Sequence, residues 1–343
     1  MINPAFFMNQ NFNETAVERL QNFLKKNKQS GEFEILTPDA STREYFRINW
    51  KNSPAIACVY AEVFLPKEHT YLDVTNLFLA CDLPVAEIYA FDSESGIIVQ
   101  EDFGDKILRD VLLESEEKEK KRLLNEAIRL IAKIQAATPK AFELSSIASR
   151  LKFDEEKLLW ELNFFKTHYF ESLRKEKLSE PEDKLLNSEF TELARELEKH
   201  AKVLCHRDFH AANLMVDHSN KLRIIDHQDA RIGSVAYDLV SLLLDRILQP
   251  PDNDWLKEKK RFFLAEREGL GLEKIDKTEF DYEFDLMTVQ RCLKAIGTFS
   301  FQSALRGKTQ YVQYIEPMFR AVLQACEKLE KFPHLRKTIT DNF

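Results

Sequence analysis

An acid at Asp208, an amide at Asn213 and a second acid at Asp226 fall in one short stretch of the chain. It reads His206-Arg207-Asp208-Phe209-His210-Ala211-Ala212-Asn213, then Leu214-Met215-Val216, a polar turn, Leu222-Arg223-Ile224-Ile225 and Asp226. Phosphoryl transfer from ATP needs such a set: a carboxylate that orients the attacking hydroxyl, and two oxygen ligands for Mg2+. Asp208 is the candidate for the first role. Asn213 and Asp226 are hard oxygen donors suited to the second. Read singly, each is an ordinary turn residue. The apolar arms on either side of Asp217-His218-Ser219-Asn220-Lys221 predict a short β-hairpin, which brings Asn213 and Asp226 to the same end.

These residues need elements to hold them. Residues 14–26 have apolar positions at helical spacing, with Asn13 as the expected N-cap. Strand-like runs follow at 33–36, 45–49 and 55–63, then a helical pattern over 71–80, and a strand pair at 87–91 and 96–100 joined by Asp92-Ser93-Glu94-Ser95. Beyond Gly104 the pattern becomes helical, over 112–137, 154–173, 180–200, 234–248, 254–268 and 279–305. The only strand-like interruption is 203–225. The expected fold class is therefore α+β, with a small β-rich lobe over 1–101 that has a leading helix, and a larger helical lobe over 102–343 carrying the catalytic loop. This is the bilobal layout of the protein-kinase-like fold, and the spacing of Asp208, Asn213 and Asp226 matches that fold's catalytic loop and metal-binding Asp.

In this layout Thr37-Pro38-Asp39-Ala40-Ser41-Thr42-Arg43 stands where a loop covers the ATP phosphates. It has no glycine, so Ser41, Thr42 and backbone N–H groups would do the cradling, with charge from Arg43 or Arg47. Its plain reading is a polar hairpin turn. Glu101-Asp102-Phe103-Gly104 is the expected hinge, where the backbone at Glu101 and Phe103 would meet the adenine edge; otherwise it is only a strand-to-helix connection. The third strand offers Cys58, Tyr60 and Glu62 but no lysine. That gap, and His227-Gln228 in place of Phe-Gly after Asp226, argue against a protein kinase.

Composition bounds the rest. The chain has 343 residues, 44% hydrophobic and 31% charged, and a formal charge of −8. That balance argues against a general nucleic-acid binder. No apolar run is long enough to span a bilayer. The five cysteines are scattered and lack a C-x-x-C pair, which speaks against zinc and against a disulfide framework. A cytoplasmic protein with reduced thiols, with no membrane and no obligate protein partner, is expected. His206 and His210 have the separation of a helical zinc pair, yet lie in a loop, so structural roles are expected for them.

Several pieces together resemble the aminoglycoside phosphotransferase superfamily, and within it the anomeric N-acetylmuramate/N-acetylglucosamine kinases. They are Asp39-Ala40-Ser41-Thr42-Arg43-Glu44-Tyr45-Phe46-Arg47, His206-Arg207-Asp208 with Asn213-Leu214-Met215, and Asp226-x-Gln228-Asp229-Ala230 with Gly233 and Tyr237-Asp238-Leu239. The last is Gln290-Arg291-x-Leu293-Lys294-x-Ile296-Gly297-x-Phe299. The resemblance implies ATP and Mg2+ as cofactors and an amino-sugar substrate phosphorylated at its anomeric hydroxyl, in peptidoglycan recycling. It makes Gln228, Asp229 and Arg291 candidates for the sugar pocket; alternatively Asp229 caps a turn and Arg291 pairs with an acid such as Asp238. Tyr237-Asp238 would tie a helix to the catalytic loop. The competing expectations are a kinase for another small alcohol, such as an aminoglycoside, choline or a different sugar, and a nucleotide-binding regulatory protein without turnover.

Overall fold

The computed structural model of the chain describes residues 14–36 and 43–341. In chain order the elements begin with α1 (Ala16–Lys26), β1 (Phe33–Leu36), β2 (Glu44–Trp50), β3 (Ser53–Val59), α2 (Thr70–Leu79), β4 (Ile88–Asp92) and β5 (Ile97–Glu101). There follow α3 (Leu108–Glu114), α4 (Glu117–Ala136), α5 (Thr138–Glu143), α6 (Ile147–Arg150), α7 (Glu155–Lys166), a π-helical turn over Thr167–Arg174, and α8 (Glu180–Lys199). The short strands are β6 (Val203–Cys205), β7 (Leu214–Val216), β8 (Leu222–Ile224) and β9 (Arg231–Gly233). The chain closes with α9 (Tyr237–Leu244), α10 (Asn253–Gly269), α11 (Lys277–Arg306), α12 (Ile315–Leu329) and α13 (Pro333–Asp341). The fold is α+β, and it divides into two compact units, one of 1–111 with 214–228 and one of 112–213 with 229–343.

The first unit is built on an antiparallel sheet of order β1-β2-β3-β5-β4. Lys51 and Asn52 both take positive φ, 50° and 67°, which is the two-residue turn that matches strand twist between β2 and β3. Between β4 and β5 the Asp92 carboxylate accepts from the N–H groups of Glu94 and Ser95, fixing the expected turn. Alternation along β5 sorts the two faces. Ile97 and Val99 join the core of α1, where Leu20, Phe23 and Leu24 pack on Phe46, Ile48 and Trp50. Ile98 faces Tyr71 and Leu72 of α2. The N-cap of α1 is Thr15, in a capping box with Glu18, rather than Asn13.

The β7–β8 hairpin belongs to this unit, which is why the units do not divide at residue 101 as expected. The Val216 N–H donates to Lys106 O at 2.8 Å and the Ile224 N–H to Pro84 O at 2.8 Å, so the hairpin completes its backbone bonding there. The Arg223 guanidinium adds a bond of 2.6 Å to Glu101.

The second unit is helical, with β6 and β9 as an antiparallel pair, Leu204 opposite Ile232. β9 was not expected; three residues are too few for alternation to show. The helix expected over 112–137 is two, because Glu116 is extended (φ −70°, ψ 157°) and starts α4 afresh. The helix expected over 154–173 passes into a π turn at Thr167, which lays Tyr169 against Phe165 and Phe319. α7 and α11 run in close contact: a Cβ on Gly297 would stand 2.6 Å from Phe165 Cα. α12 and α13, also not expected, pack on α11 and α8.

Candidate active site

In the helical unit the chain leaves β6 into the loop that carries Asp208. Two successive N–H groups, of His206 and Arg207, donate to the two oxygens of Asp238 at 2.7 and 3.0 Å. Asp238 stands in the first turn of α9 and is fully buried, so α9 holds the loop as expected. Burial raises its carboxyl to about 6, against the pull of His206 and those two N–H groups. Arg207 has φ +87°, so the backbone turns sharply just before Asp208. The Asn213 side-chain N–H donates to Asp208 O at 2.9 Å, and the Asn213 backbone N–H to His210 O at 2.8 Å. The amide nitrogen thus faces the loop, and the amide oxygen is the donor Asn213 has for a cation.

The Asp208 carboxylate is ringed by cations. Lys294 Nζ of α11 meets Oδ1 at 2.6 Å, and Arg291, one turn earlier, stands 3.6 Å from the same atom. Arg207 Nε is 3.9 Å from Oδ2. Enclosure alone would raise this carboxyl; Lys294, Arg207 and Arg291 outweigh it and hold it well below the ordinary carboxylate range. Its side chain remains 24% exposed, so a hydroxyl can reach it. Arg291 is itself buried, and also bonds Ser241 at 2.9 Å and Asp245 at 3.4 Å. Its acidic partner is therefore Asp245 rather than Asp238. Asp229 pairs with Arg207 at 2.9 Å and lies 3.7 Å from Arg231. Gln290 donates to the buried Glu161 at 2.9 Å.

In the β-rich unit Asp226 follows the hairpin with φ +60°. Its Oδ1 accepts from Gln228 at 2.9 Å and from Arg43 at 3.3 Å. Gln228, a candidate for the sugar pocket, is thereby tied to Asp226. Arg43 brings to Asp226 a positive charge that β3 does not carry; its guanidinium also lies 5.8 Å from the centroid of Tyr45 and 5.7 Å from that of Tyr60. Arg47, the other arginine considered, is committed to Asp102 at 2.7 Å and Asp105 at 2.6 Å. His227 is fully buried. Its Nε2 is 2.7 Å from Thr75 Oγ1, and its ring lies between Tyr71 and Phe78. The Thr75 hydroxyl spends its proton on Tyr71 O at 2.6 Å, so His227 Nε2–H is the donor in that pair.

At the expected hinge the Glu101 side chain is held by Arg223, and its N–H donates to Glu87 O at 2.9 Å. Phe103 is buried beneath the Arg223 guanidinium, 4.2 Å from the ring centroid. Ser41 and Thr42 lie outside the described residues. Lys294 and Asp245 were not among the expected site residues. Lys294 had a signal: it stands three positions after Arg291, on the same helix face. Asp245 had none.

Residues 32–272 match the family described as "Phosphotransferase enzyme family". The N-acetylmuramate/N-acetylglucosamine kinase of Neisseria meningitidis serogroup B is 30% identical over 298 residues, covering 85% of this chain and 86% of that protein. The enzyme of the same name from Pseudomonas putida is 25% identical over 326 residues, 91% of this chain and 88% of that one. Among solved structures, the microcompartment-associated aminopropanol kinase shares the fold with a TM-score of 0.60 at 16% identity, covering 92% of this chain and 98% of that chain.

Proposed function

This chain belongs to the phosphotransferase enzyme family, and from that premise we propose that it transfers the γ-phosphoryl group of ATP to the anomeric hydroxyl of N-acetylmuramate, N-acetylglucosamine or both. The products are ADP and the sugar 1-phosphate. The observation that carries the choice of acceptor is the cationic ring of Lys294, Arg291 and Arg207 around Asp208. A cationic acceptor such as choline or an aminoglycoside calls for uncompensated acidic groups, whereas this setting suits a neutral or anionic sugar. The names of the two relatives above support the same acceptors.

Asp208 accepts the hydrogen bond of the anomeric hydroxyl through Oδ2, since Oδ1 is taken by Lys294. A carboxylate held so far below its ordinary range is a weak base. It therefore aims the oxygen at the γ-phosphorus, and the proton transfers late, as the new P–O bond forms and the bond to the β,γ-bridging oxygen breaks. That order fits a loose phosphoryl-transfer transition state. Asn213, through its amide oxygen, and Asp226, through its carboxylate, would be the hard oxygen donors to hold Mg2+. Mg2+, when bound, neutralises charge on the phosphates. Arg43 beside Asp226 takes the part of the missing third-strand lysine toward those phosphates, which favours an active kinase over a regulatory protein without turnover. Ser41 and Thr42 would cradle the phosphates, and the backbone at Glu101 and Phe103 the adenine.

The test is a purified-protein assay with Mg-ATP and a panel of amino sugars, choline and aminoglycosides. ADP release with an acid-labile sugar 1-phosphate, identified by NMR and absent in Asp208→Ala, is expected. Turnover confined to a cationic alcohol, or none with any acceptor, would overturn the reading.

A further inference from the structure

Helix α7 carries a cation that forms no salt bridge among the described residues. The Lys157 ammonium lies 4.0 Å from the centroid of the Trp160 ring, and among the described residues it has no ion-pair partner. Glu161, one turn further on, is already engaged: Oε2 accepts from Gln290 at 2.9 Å, and Oε1 faces Arg207 at 3.8 Å. The neighbouring cations all have their acids. Lys294 has Asp208 at 2.6 Å, and Arg207 and Arg231 share Asp229 at 2.9 and 3.7 Å. Burial draws Lys157 below the ordinary lysine value, and while Glu161 opposes this, repulsion from Arg207, Arg231 and Lys294 adds to it. Glu161, one turn along α7 from Lys157, stands 3.8 Å from Arg207, and this joins α7 to the group around Asp208.

Beside this charge is an apolar platform. Trp160 is 55% exposed, and its ring lies 5.5 Å from that of Phe164, which is 5.9 Å from Phe301 on α11. Phe301 lies two turns along α11 from Lys294, on the same face. An exposed indole flanked by phenyl rings offers the flat apolar surface on which the C–H face of a pyranose stacks, and a few polar groups at its edge give orientation.

We propose that Lys157 and Trp160 form an acceptor subsite for a sugar that bears a carboxylate, the indole taking the ring face and the ammonium pairing with the acid. The inference rests on the amino-sugar kinase reading and narrows it. N-acetylmuramate carries a lactyl carboxylate that N-acetylglucosamine lacks, so Lys157 sets the preference between them. The charge-assisted pair forms only with the acidic sugar.

The experiment measures kcat/KM of the full chain for both sugars at saturating Mg-ATP. In Lys157→Met the ratio of N-acetylmuramate to N-acetylglucosamine should fall about 10- to 100-fold, the range of one hydrogen bond to a charged group. Lys157→Arg should keep most of the ratio. Trp160→Ala should raise KM for both sugars. An unchanged ratio in Lys157→Met, with both sugars slowed alike, would assign Lys157 to the nucleotide phosphates or to the scaffold and overturn the inference. So would a wild-type chain that phosphorylates N-acetylglucosamine and not N-acetylmuramate. A wild type inactive on both sugars would instead remove the sugar-kinase reading itself.

Discussion

Lys294 donates to Asp208 Oδ1 at 2.6 Å, although 86 positions separate the two residues. The bond leaves one carboxylate oxygen for an acceptor and fixes where that oxygen points. It also places α11, through its fifth turn, in direct charge of the acidity of Asp208. Lys294 pays for this place with a value below that of an ordinary lysine, set by burial and then by Arg291.

Replacing Lys294 with Met should lower kcat by about 10- to 100-fold, below the full worth of a general acid–base group. One of the charges that hold Asp208 down would be gone, so its pKa rises. The acid limb of the kcat/KM profile should then move to higher pH, while Lys294→Arg keeps the wild-type limb. An acid limb that stays in place in the Met variant would show that Asp208 does not sense Lys294.

Arg43 is the cation that the β-rich unit sets against Asp226. Arg43→Met should raise KM for ATP about 10- to 100-fold and abolish most of the thermal stabilisation given by Mg-ADP. Arg43→Lys should recover part of it, because a point charge replaces a fork of donors. Equal stabilisation of Arg43→Met and wild type by Mg-ADP would remove Arg43 from nucleotide binding.

Acid should destabilise the chain through two partly buried histidines. His210 and His69 are each lowered to about 4, chiefly by burial, from an ordinary value of 6.5. Between those values the unfolded chain takes up protons that the folded chain refuses. Their contribution is complete above pH 6.5 and is lost as pH falls toward 4. Asp238 runs the other way: raised to about 6, its contribution is present below the ordinary carboxylate value and is lost as pH rises through 6. His210→Gln should reduce the loss of Tm between pH 7 and pH 5 by about 2 °C or more. An identical loss in both proteins would place the sensitivity elsewhere.

Gly297 marks a close approach of α7 and α11. A methyl there meets backbone at 2.6 Å, which cannot swing aside as a side-chain tip can. Gly297→Ala should cost about 1–3 kcal/mol in urea unfolding, despite the gain in helix propensity. Unchanged stability would mean that the two helices separate freely.

The hairpin beside Asp208, Asn213 and Asp226 was legible because two apolar arms flank a polar run. The five strands of the sheet were legible as short apolar runs, the last two joined by the turn Asp92-Ser93-Glu94-Ser95. The surroundings of Asp208 were not, because Lys294, Arg291 and Asp245 reach it from distant helices, and helical spacing tells which face a residue is on but not what faces it. The Thr15-x-x-Glu18 capping box was readable and points two residues past Asn13. Membership of the hairpin in the β-rich unit rests on backbone bonds to Pro84 and Lys106, which carry no residue signature.

The burial of His227 has a consequence for inhibitor chemistry. In protein kinases the Asp-Phe-Gly segment flips, and compounds can lodge in the space its phenyl ring vacates. Here the corresponding ring is bonded to Thr75 and held between Tyr71 and Phe78, so vacating that space would strand a buried hydroxyl–imidazole pair. A library biased toward such flipped-segment scaffolds should be a poor starting point for this chain, and ligands that engage Asp226 and Arg43 as they stand a better one.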